Sequence, residues 1–598
     1  MSSSDEFCID KLCIDEINQM FPTKALYETH YFQPKTRVEM RMIKASALIR
    51  SAPEWAEQLN DESKRQEWTT QVKDDLKLTD MEVVYVFREL KYYARLKANG
   101  VDGEELAAID GVWINNATSD SDLADEFKNN AAVLENDFAQ VHSGEASAAS
   151  STGFRALVDP FMYPLMTKES LILTKPVGSP EDALNPELPR VKPEYLKDWH
   201  ETINDINEHK VNNGYIGGKR KPPSVIRQYL SGLLNEFYGC WLPTDFDVGE
   251  DGTVTIRSYI NNLHPTRYAA LYQTISKVFA KLMPLLEQVA TDMIHLRASR
   301  AVFNRDELFA PGMLKPYAIA EMVRQGVPLP EEYHKFVANS DAYAYERSWH
   351  DINIVKGVEL DMTELENAYK EAEVYTEPAP QHFCPSNRPI KPYSMRGLPL
   401  QASVEMSSIN LTPENPTHPE GEWQAVGRPE ERVFAVGLYF YDVENIASPK
   451  LKFRDPVSRS LFYDPNDFYD FCASHDIVSV LDPYHSCVYT QEVGEVEIKN
   501  GSYVCYPNYY QTKMPLFELA DPTRPGHVKY IAFNIVDPMF RLISTELVPP
   551  QQPDWTDATS SLEATAEAIK NMERLKYSHF RSSRDESRFR PKLCTGDY

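Results

Sequence analysis

Residues 432 to 441 read RVFAVGLYFY, and this run decides how the rest of the chain is interpreted. The stretch Val433–Tyr441 is the longest apolar run, yet it reaches only about half the length of a membrane-spanning helix. Its aromatic and β-branched residues are typical of a β-strand. Other strand candidates, separated by turn residues, are Gln401–Leu411, Ser486–Gln491, Glu495–Ile498, Tyr503–Tyr506 and Val528–Val536. Their spacing predicts a sandwich or barrel in the later part of the chain.

The first half of the chain is predicted to be mainly helical. Apolar residues recur every three or four positions between residues 81 and 99, and Thr79 or Asp80 can cap this helix. Further helices are predicted over Ser119–Phe138, Ala269–His295 and residues 363–373, and a strand over Thr253–Tyr259. The pattern therefore predicts an α+β fold with its helices early and a β-unit late.

The length of the chain, 598 residues, predicts more than one structural unit. Changes in local composition and in proline content set the predicted boundaries between these units. The predicted units are an N-terminal extension, partly flexible, over 1–74, a mainly helical region over 75–375, a β-unit over 376–560, and a C-terminal helix with a basic tail over 561–598. The basic tail is a candidate contact for a protein partner.

The net charge of −27 excludes some broad classes of partner. A strongly acidic surface repels phosphate groups, so nucleic acid and anionic membranes are disfavoured. Hydrophobic residues make up 42% of the chain, which is typical of a globular protein with a substantial core. The N-terminal sequence MSSSDEFCID lacks the features of a secretory signal. We therefore expect a soluble protein of the cytoplasm.

Short catalytic motifs are missing from the sequence. It contains no GxSxG elbow, no HExxH helix, no GxGxxG after a strand, and no CxxC among its eight cysteines. His418 and Glu420 form an HxE pair, and on an extended segment both side chains would lie on the same face, as a metal site requires. Because this pair lies in the proline-rich segment NPTHPEGEW, a surface loop is favoured over a metal site.

Several long segments resemble a known family. They are IDGVWINNATSDSDL (109–123), CWLPTDFDVGEDGTVTIRSYINNLHP (240–265), LQASVEMSSINLTPENPTHPEGEWQAVG (400–427) and YPNYYQTKMPLFELADPTRPGHVKYIAFNIVDP (506–538). They are similar to the fungal family of domain of unknown function 4246, over about residues 75 to 555. This resemblance implies that the late β-unit is a jelly-roll, the double-stranded β-helix of non-haem Fe(II)/2-oxoglutarate oxygenases. The helical N-terminal region would then pack on it.

The resemblance also implies which positions would carry oxygenase chemistry. Two His and one carboxylate hold Fe(II), and an Arg pairs with the far carboxylate of 2-oxoglutarate. In typical members a His-x-Glu follows the Trp that corresponds to Trp423, a second His follows the position of Gln511, and the Arg follows that of His527.

This chain departs from the family pattern at all four positions. Gln424 and Val426 stand where the His and the carboxylate are expected, and Thr512 stands at the second His. Val528 replaces the Arg, with Lys529 adjacent. Because valine has no donor atom and Gln and Thr are weak neutral ligands, we expect no metal and no cofactor. Relocated ligands from His418, Glu420, His485 or His527 are disfavoured, since several independent relocations would have to converge.

Three hypotheses follow for the function. The first is an oxygenase-like protein with a degenerate metal site that binds or converts a small molecule, with a metabolite as one candidate. Its candidate acid/base or anchoring groups are Lys513, Tyr509, Tyr510, His527 and Lys529. The second is a non-catalytic binding or regulatory protein. The third is an Fe(II)/2-oxoglutarate-dependent dioxygenase with relocated ligands, the one case in which both cofactors would be required.

Overall fold

The computed structural model describes most of the chain from residue 35 onward. The described residues are 35–99, 104–116, 121–141, 153–166, 170–191, 240–295, 299–301, 316–337, 352–355, 358–371, 378–383, 393–424, 426–427, 431–457, 477–481, 487–538, 541–553 and 555. The predicted C-terminal helix and basic tail over 561–598 lie outside them. So does His485.

Helices dominate the first half of the described chain. They are α1 (Arg37–Arg50), α2 (Trp55–Gln58), α3 (Glu62–Leu76), α4 (Asp80–Asn99), α5 (Ser121–Val141), α6 (Ala269–Ile294), α7 (Pro316–Gln325) and α8 (Met362–Glu371). The predicted helices over 81–99, 119–138, 269–295 and 363–373 correspond to α4, α5, α6 and α8. Thr79 caps α4 as predicted, because its hydroxyl accepts a hydrogen bond from the backbone N of Glu82 at 3.3 Å.

Strands dominate the second half. They are β1 (Glu104–Leu106), β2 (Trp113–Asn115), β3 (Phe154–Val158), β4 (Ile172–Leu173), β5 (Arg190–Val191), β6 (Thr244–Val248), β7 (Val254–Ile256), β8 (Ile352–Val355), β9 (Val358–Asp361), β10 (Pro399–Leu411), β11 (Thr417–His418), β12 (Val433–Glu444), β13 (Lys450–Val457), β14 (Ile477–Leu481), β15 (Cys487–Glu497), β16 (Tyr503–Pro507), β17 (Gln511–Lys513), β18 (Phe517–Glu518) and β19 (Gly526–Val536). The predicted mixture of helices with late β-structure is confirmed.

Two antiparallel sheets organise the later half. A nine-stranded sheet has the order β1-β2-β16-β12-β19-β10-β6-β7, with β3 paired to β10. A four-stranded sheet has the order β14-β15-β13-β17. Short two-stranded ladders join β4 to β5, β8 to β9 and β11 to β18. The apolar run Val433–Tyr441 lies in β12, at the centre of the larger sheet between β16 and β19.

One strand prediction needs correction. The two candidates Ser486–Gln491 and Glu495–Ile498 are a single strand, β15, whose pairing with β13 continues through Gly494. A Cβ at Gly494 would come within 3.0 Å of the Ile109 side chain. The glycine therefore permits a close approach inside a strand and does not mark a turn.

Helices cover one face of the nine-stranded sheet. Phe279 of α6 stacks on Phe246 at 4.4 Å and meets Phe533 of β19 edge-on at 5.1 Å. Phe127 of α5 packs against Tyr439 of β12, with ring centroids 5.7 Å apart. Burying these aromatic side chains removes a large apolar area from water, which is the main stabilising contribution of this layer.

The four-stranded sheet contacts the opposite face at β16. Phe453 of β13 meets Tyr506 of β16 edge-on at 5.2 Å. We call the side of the nine-stranded sheet that is turned toward the four-stranded sheet the inner face, and the side under α5 and α6 the helix face.

Helices α1 and α2 and most of α3 lie within the predicted N-terminal extension over 1–74. Val38, Met42 and Ile49 of α1 are fully buried and belong to the same hydrophobic core as the two sheets. Lys35 and Gln491 exchange two hydrogen bonds of 2.8 Å, which tie the start of α1 to β15. The region from residue 35 is therefore packed onto the β-structure.

No helix in the described parts of the chain combines the length and the apolar character that crossing a membrane requires. The cytoplasmic location stays a prediction from the sequence.

Candidate functional site

Polar side chains line the middle of the inner face. In the ladder between β10 and β19, Glu405 lies opposite Ala532 and Ser407 lies opposite Tyr530. Paired residues of antiparallel strands share one face, and residues two apart on a strand do so as well. Ser403, two positions before Glu405, therefore lies on the inner face too. A charged residue and several hydroxyls thus occupy the centre of a sheet, where apolar packing is usual.

Hydrogen bonds connect three of these groups. Ser407 Oγ donates to Glu405 Oε1 at 2.9 Å, and the Tyr530 hydroxyl is hydrogen-bonded to both side chains. Burial, followed by the nearby charge of Glu405, raises the pKa of Tyr530 well above its usual value. The phenol therefore stays protonated and keeps its O–H for hydrogen bonding.

A second tyrosine connects the two sheets. The hydroxyl of Tyr506 on β16 is hydrogen-bonded to the hydroxyl of Thr512 on β17. Burial raises the pKa of Tyr506, and the charge of Glu405 raises it further, so this phenol also remains neutral. We call Ser403, Glu405, Ser407, Tyr506, Thr512 and Tyr530 the inner polar cluster.

Two features separate the inner polar cluster from an ordinary polar core. The Ser403 hydroxyl is buried and has no hydrogen-bond partner among the described residues. Burying such a group costs about 1–3 kcal/mol. Glu405 and Tyr530, in contrast, remain partly exposed although both lie in the middle of central strands. The cluster therefore combines an unsatisfied hydroxyl with groups that solvent can reach.

The structure brings together the positions that the family resemblance assigns to the metal. Gln424 and Thr512 lie directly opposite each other and exchange two backbone hydrogen bonds of 2.9 Å. Their side chains therefore share the face that carries the Thr512–Tyr506 contact. Val426 follows two residues after Gln424, and its carbonyl accepts a hydrogen bond of 2.8 Å from Asn508 Nδ2.

The donor set at these positions does not fit Fe(II). Val426 has no donor atom, Gln424 offers only a neutral amide, and the Thr512 hydroxyl is already paired with Tyr506. In the part of the chain that the structure describes, no three His, Cys, Asp or Glu side chains lie close enough together to hold a metal ion.

Val528, which stands where the family resemblance places the cosubstrate Arg, lies on the inner face, but its basic neighbour Lys529 does not. Val528 is fully buried and lies on the inner face, two residues before Tyr530. Lys529 is on the helix face, where its Nζ lies 2.9 Å from Glu135 and 3.2 Å from Asp442. Lys529 therefore cannot take the place of the missing Arg.

His527 also belongs to the helix face. Its Nε2 lies 2.7 Å from Asp442 Oδ2, and Lys128 Nζ lies 2.7 Å from Asp442 Oδ1. Burial alone would raise the pKa of Asp442, but the contacts with His527, Lys128 and Lys529 outweigh it and hold this pKa well below its usual range. His527 thus belongs to the cluster that Asp442 forms with Lys128 and Lys529, and it lies apart from the inner polar cluster.

Lys513, another candidate, points away from the inner face. It follows Thr512 on β17 and so lies on the other side of the four-stranded sheet. Its Nζ lies 2.5 Å from Glu420 and 4.5 Å from the ring centre of Trp423. Arg454 also lies over that ring, at 4.7 Å. These contacts form a cation–π arrangement outside the space between the sheets.

Tyr509 and Tyr510 are core residues. The Tyr510 hydroxyl donates to the backbone oxygen of Asp110 at 2.8 Å, and the side chain is only 2% exposed. The Tyr509 ring packs against Tyr510 at 4.6 Å. Burial raises the pKa of both hydroxyls well above their usual value. Neither belongs to the inner polar cluster.

The candidate replacement ligands are dispersed. His418 stacks on Phe517 at 4.8 Å, Glu420 pairs with Lys513, and His527 pairs with Asp442. These three described residues make separate contacts on different elements, so they do not form a common ligand set.

Sequence reasoning missed Glu405, Tyr506 and Tyr530, although one signal was present. In β10 the polar residues Ser403, Glu405 and Ser407 alternate with the apolar residues Val404 and Met406. Such a period of two predicts one polar face. In a central strand, a polar face is informative because both faces are covered by other parts of the protein.

Comparisons with solved structures give weak likenesses. IDO from Bacillus thuringiensis matches 23% of this chain and 46% of its own, at 6% identity and a TM-score of 0.14. The Fe(II)/α-ketoglutarate-dependent dioxygenase TqaL matches 30% of this chain and 53% of its own, at 10% identity and a TM-score of 0.15. This chain thus spans about half of each neighbour. At such TM-scores the likeness establishes neither a shared fold nor a shared activity.

Comparison at the level of families gives a firm result. No curated protein matches the chain. The model of the family described as protein of unknown function (DUF4246) matches residues 80–559, which is well over half of the sequence. This range includes both sheets and every member of the inner polar cluster. The chain therefore belongs to the DUF4246 family of proteins.

Proposed function

We propose that this protein binds a small molecule between its nine-stranded and four-stranded sheets, in an oxygenase-like double-stranded β-helix whose metal site has been lost. The observation that carries the proposal is the inner polar cluster, where the buried Ser403 hydroxyl has no partner among the described residues and Glu405 and Tyr530 remain open to solvent. Gln424 and Thr512, two of the positions that the family resemblance assigns to metal ligands, lie opposite each other, and Thr512 contacts Tyr506 of the cluster.

The energetics of the cluster support a binding role. A stable core gains little from a carboxylate and an unsatisfied hydroxyl, since both lose hydration when they are buried. Native proteins satisfy most buried polar groups, and the exceptions call for a functional reason. Ligand sites commonly combine apolar walls with a few convergent polar groups, which matches this arrangement.

The chemistry of the cluster favours binding over proton transfer. Tyr506 and Tyr530 have raised pKa values, so they act as neutral hydrogen-bond donors and are poor acids at neutral pH. Glu405 is the one acid/base candidate of the cluster. If the bound molecule is converted, Glu405 accepts or returns the proton, and the two phenols orient the reacting group.

Metal analysis tests the loss of the iron site. We expect the full chain, purified without chelator, to contain far less than one equivalent of iron. An anaerobic titration with Fe(II) and 2-oxoglutarate is expected to produce no charge-transfer band. Near-stoichiometric iron together with such a band would contradict the proposal and would favour a dioxygenase with relocated ligands.

Native mass spectrometry tests the binding site itself. We expect a small molecule to co-purify with the wild-type chain. Ala532 lies opposite Glu405 on the inner face, so the substitution Ala532→Phe should fill the space and remove that molecule. Circular dichroism would check that the variant is folded. Retention of the same molecule by folded Ala532→Phe would place its binding elsewhere.

A further inference from the structure

Basic side chains are concentrated on the outer face of the four-stranded sheet, the side turned away from the nine-stranded sheet. Lys450, Lys452 and Arg454 recur at every second position of β13. Lys513 of β17 lies directly opposite Lys452 and therefore points to the same side. Trp423 joins this group, because Arg454 and Lys513 both lie over its ring, at 4.7 Å and 4.5 Å from the ring centre. A basic patch thus exists on a chain whose net charge is −27.

Arg454 differs from the lysines of this patch in its partners. Each of the three lysines has a glutamate partner at the surface, and the pairs are Lys450–Glu495, Lys452–Glu492 and Lys513–Glu420. Arg454 makes no ion pair within the part of the chain that the structure describes. Its one hydrogen bond to those residues runs from Nε to the neutral Gln511 Oε1, at 2.5 Å. The charge of Arg454 is therefore the one in the patch without a carboxylate beside it.

Arg454 is also partly withdrawn from water. Burial lowers the pKa of its guanidinium to about 10, and the charge of Glu492 offsets this only in part. Arg300 is the contrasting case, because the charges of Asp110 and Glu89 outweigh its burial and raise its pKa. A partly buried arginine whose charge is not compensated in this way is a place where an anion from outside the chain is stabilised.

We infer that Arg454, Lys513 and Trp423 form a binding site for the oxyanion group, a carboxylate or a phosphate, of a small molecule on the outer face of the four-stranded sheet. The terminal nitrogens Nη1 and Nη2 of Arg454, which the bond to Gln511 leaves unused, present parallel N–H donors. Such a fork matches two oxygens of one oxyanion.

The neighbours of Arg454 suit the same ligand. Lys513 adds a second positive charge beside the same ring, and the ring holds both cations by cation–π attraction. Glu420, the partner of Lys513, is 52% exposed, so an incoming oxyanion competes with a solvated ion pair, which is a weak one.

This site is separate from the inner polar cluster. Thr512 and Phe453 lie opposite each other and face inward, and Phe453 meets Tyr506 there. Arg454 and Lys513 each follow one of these two residues, so they lie on the other side of the same strands. The four-stranded sheet itself therefore stands between the two sites, and the inference does not depend on what binds between the sheets.

Three probes that share a phenyl ring test the inference: benzoate, phenyl phosphate and the uncharged benzamide. Each would be titrated into the full chain at neutral pH and fixed ionic strength, with affinity measured by calorimetry or ligand-detected NMR. We expect the tighter oxyanion to bind at least about tenfold more strongly than benzamide, as one hydrogen bond between charged groups would provide. Which oxyanion binds more tightly identifies the anionic group of the ligand.

Matched variants locate the binding on the patch. Arg454→Gln should weaken oxyanion binding at least about tenfold, because it removes the charge and the fork of donors. Arg324→Gln is the control, since Arg324 is a surface residue of α7 paired with Glu321 and the change in net charge is the same. It should bind as the wild type does. Glu420→Gln should bind more tightly than the wild type, because it removes the carboxylate that competes for Lys513.

Three results would overturn the inference. The first is unchanged oxyanion binding by Arg454→Gln that circular dichroism shows to be folded. The second is a wild-type chain that binds neither oxyanion better than benzamide. The third is oxyanion binding that is lost in Ala532→Phe and kept in Arg454→Gln, which would place the anion between the sheets and leave the proposed function standing.

Discussion

The two faces of β19 carry polar residues in contrasting environments. On the helix face, His527 and Lys529 contact Asp442, and Lys128 contacts its other oxygen. On the inner face, Tyr530 contacts Glu405 and Ser407, while Ser403 on the neighbouring strand has an unpartnered hydroxyl. Both clusters are polar and lie on the same sheet, but only the inner one leaves a buried hydroxyl unsatisfied.

This difference distinguishes a structural cluster from a candidate binding site. On the helix face each oxygen of the Asp442 carboxylate has a lysine neighbour, at 2.7 Å and 3.2 Å, so residues of the protein itself compensate its charge, although Asp442 Oδ2 and His527 Nε2 make no hydrogen bond of good geometry. The Asp442 cluster joins helix α5 to strand β19, since Lys128 and Glu135 belong to α5. His527 and Lys529 were candidate functional residues in the sequence, but in the structure they connect strand β19 to Asp442 and to helix α5.

Restoring the metal ligands is expected to have the largest effect. The variant Gln424→His/Val426→Glu/Thr512→His places the family's ligand types on the inner side. We expect it to bind Co(II) at least about a thousandfold more tightly than the wild type, equivalent to about 4 kcal/mol. Absorption spectroscopy of the Co(II) complex would measure this.

The matched control moves the third ligand by one residue. In Gln424→His/Val426→Glu/Lys513→His the second histidine lies on the opposite side of β17, beside Trp423. It should bind Co(II) no better than the wild type. Equal binding by the two triple variants would show that the faces of β17 are assigned wrongly.

Breaking the helix-face cluster should destabilise the protein. Asp442 is 4% exposed, so Asp442→Asn leaves Lys529 without a buried counter-charge and alters the hydrogen-bonding neighbour of His527. We expect the free energy of unfolding to fall by about 2 kcal/mol at pH 7, less than for a fully buried pair because Lys128 is exposed. Chemical denaturation would measure it, and Glu495→Gln should change it by less than about 0.5 kcal/mol.

The stability lost in Asp442→Asn is expected to depend on pH. The folded protein lowers the pKa of Asp442, so this carboxylate stabilises the fold above its ordinary pKa of 3.8. That stability is lost as the pH falls below this value toward the lowered pKa. The difference between wild type and Asp442→Asn should therefore shrink below about pH 4. A constant difference down to the acid transition would argue against a lowered pKa.

The smallest expected effect concerns the unsatisfied hydroxyl of Ser403. We expect Ser403→Ala to raise the free energy of unfolding by about 1 kcal/mol, because it removes a buried group without a partner. Ser407→Ala, which removes a hydroxyl bonded to Glu405, should lower the free energy of unfolding by a similar amount. If both variants are destabilised equally, Ser403 has a partner in solution.

Local patterns in the sequence were sufficient for several elements. The period of α6, the cap of α4 and the apolar run of β12 each depend on neighbours within a few residues, so they could be predicted. The interruption predicted near Gly494 was wrong, because a glycine that ends a strand and one that allows a close approach look alike in sequence. Ile109, which makes the difference, lies far away in the chain.

The candidate site was predicted only in part. The positions Gln424, Val426 and Thr512 were identified from the family resemblance, and the structure brings Gln424 opposite Thr512, which contacts Tyr506. Lys513 and Lys529 were selected because each is basic and directly follows a position that the resemblance singles out, Thr512 and Val528 respectively. Each is one residue from an inward-facing neighbour, and in a strand one residue is the difference between opposite faces.

The sequence by itself determined the chemical inventory: an acidic chain, early helices, late strands, and Gln, Val and Thr at the three positions that the family resemblance assigns to metal ligands. Only the tertiary structure decided which face of each strand is enclosed and which polar groups find partners. The physical reason is that the alternation of a strand is local, whereas the layer that covers each face is contributed by residues far away in the chain. Glu405 and Lys529 therefore acquire their roles from what packs above and below the sheet.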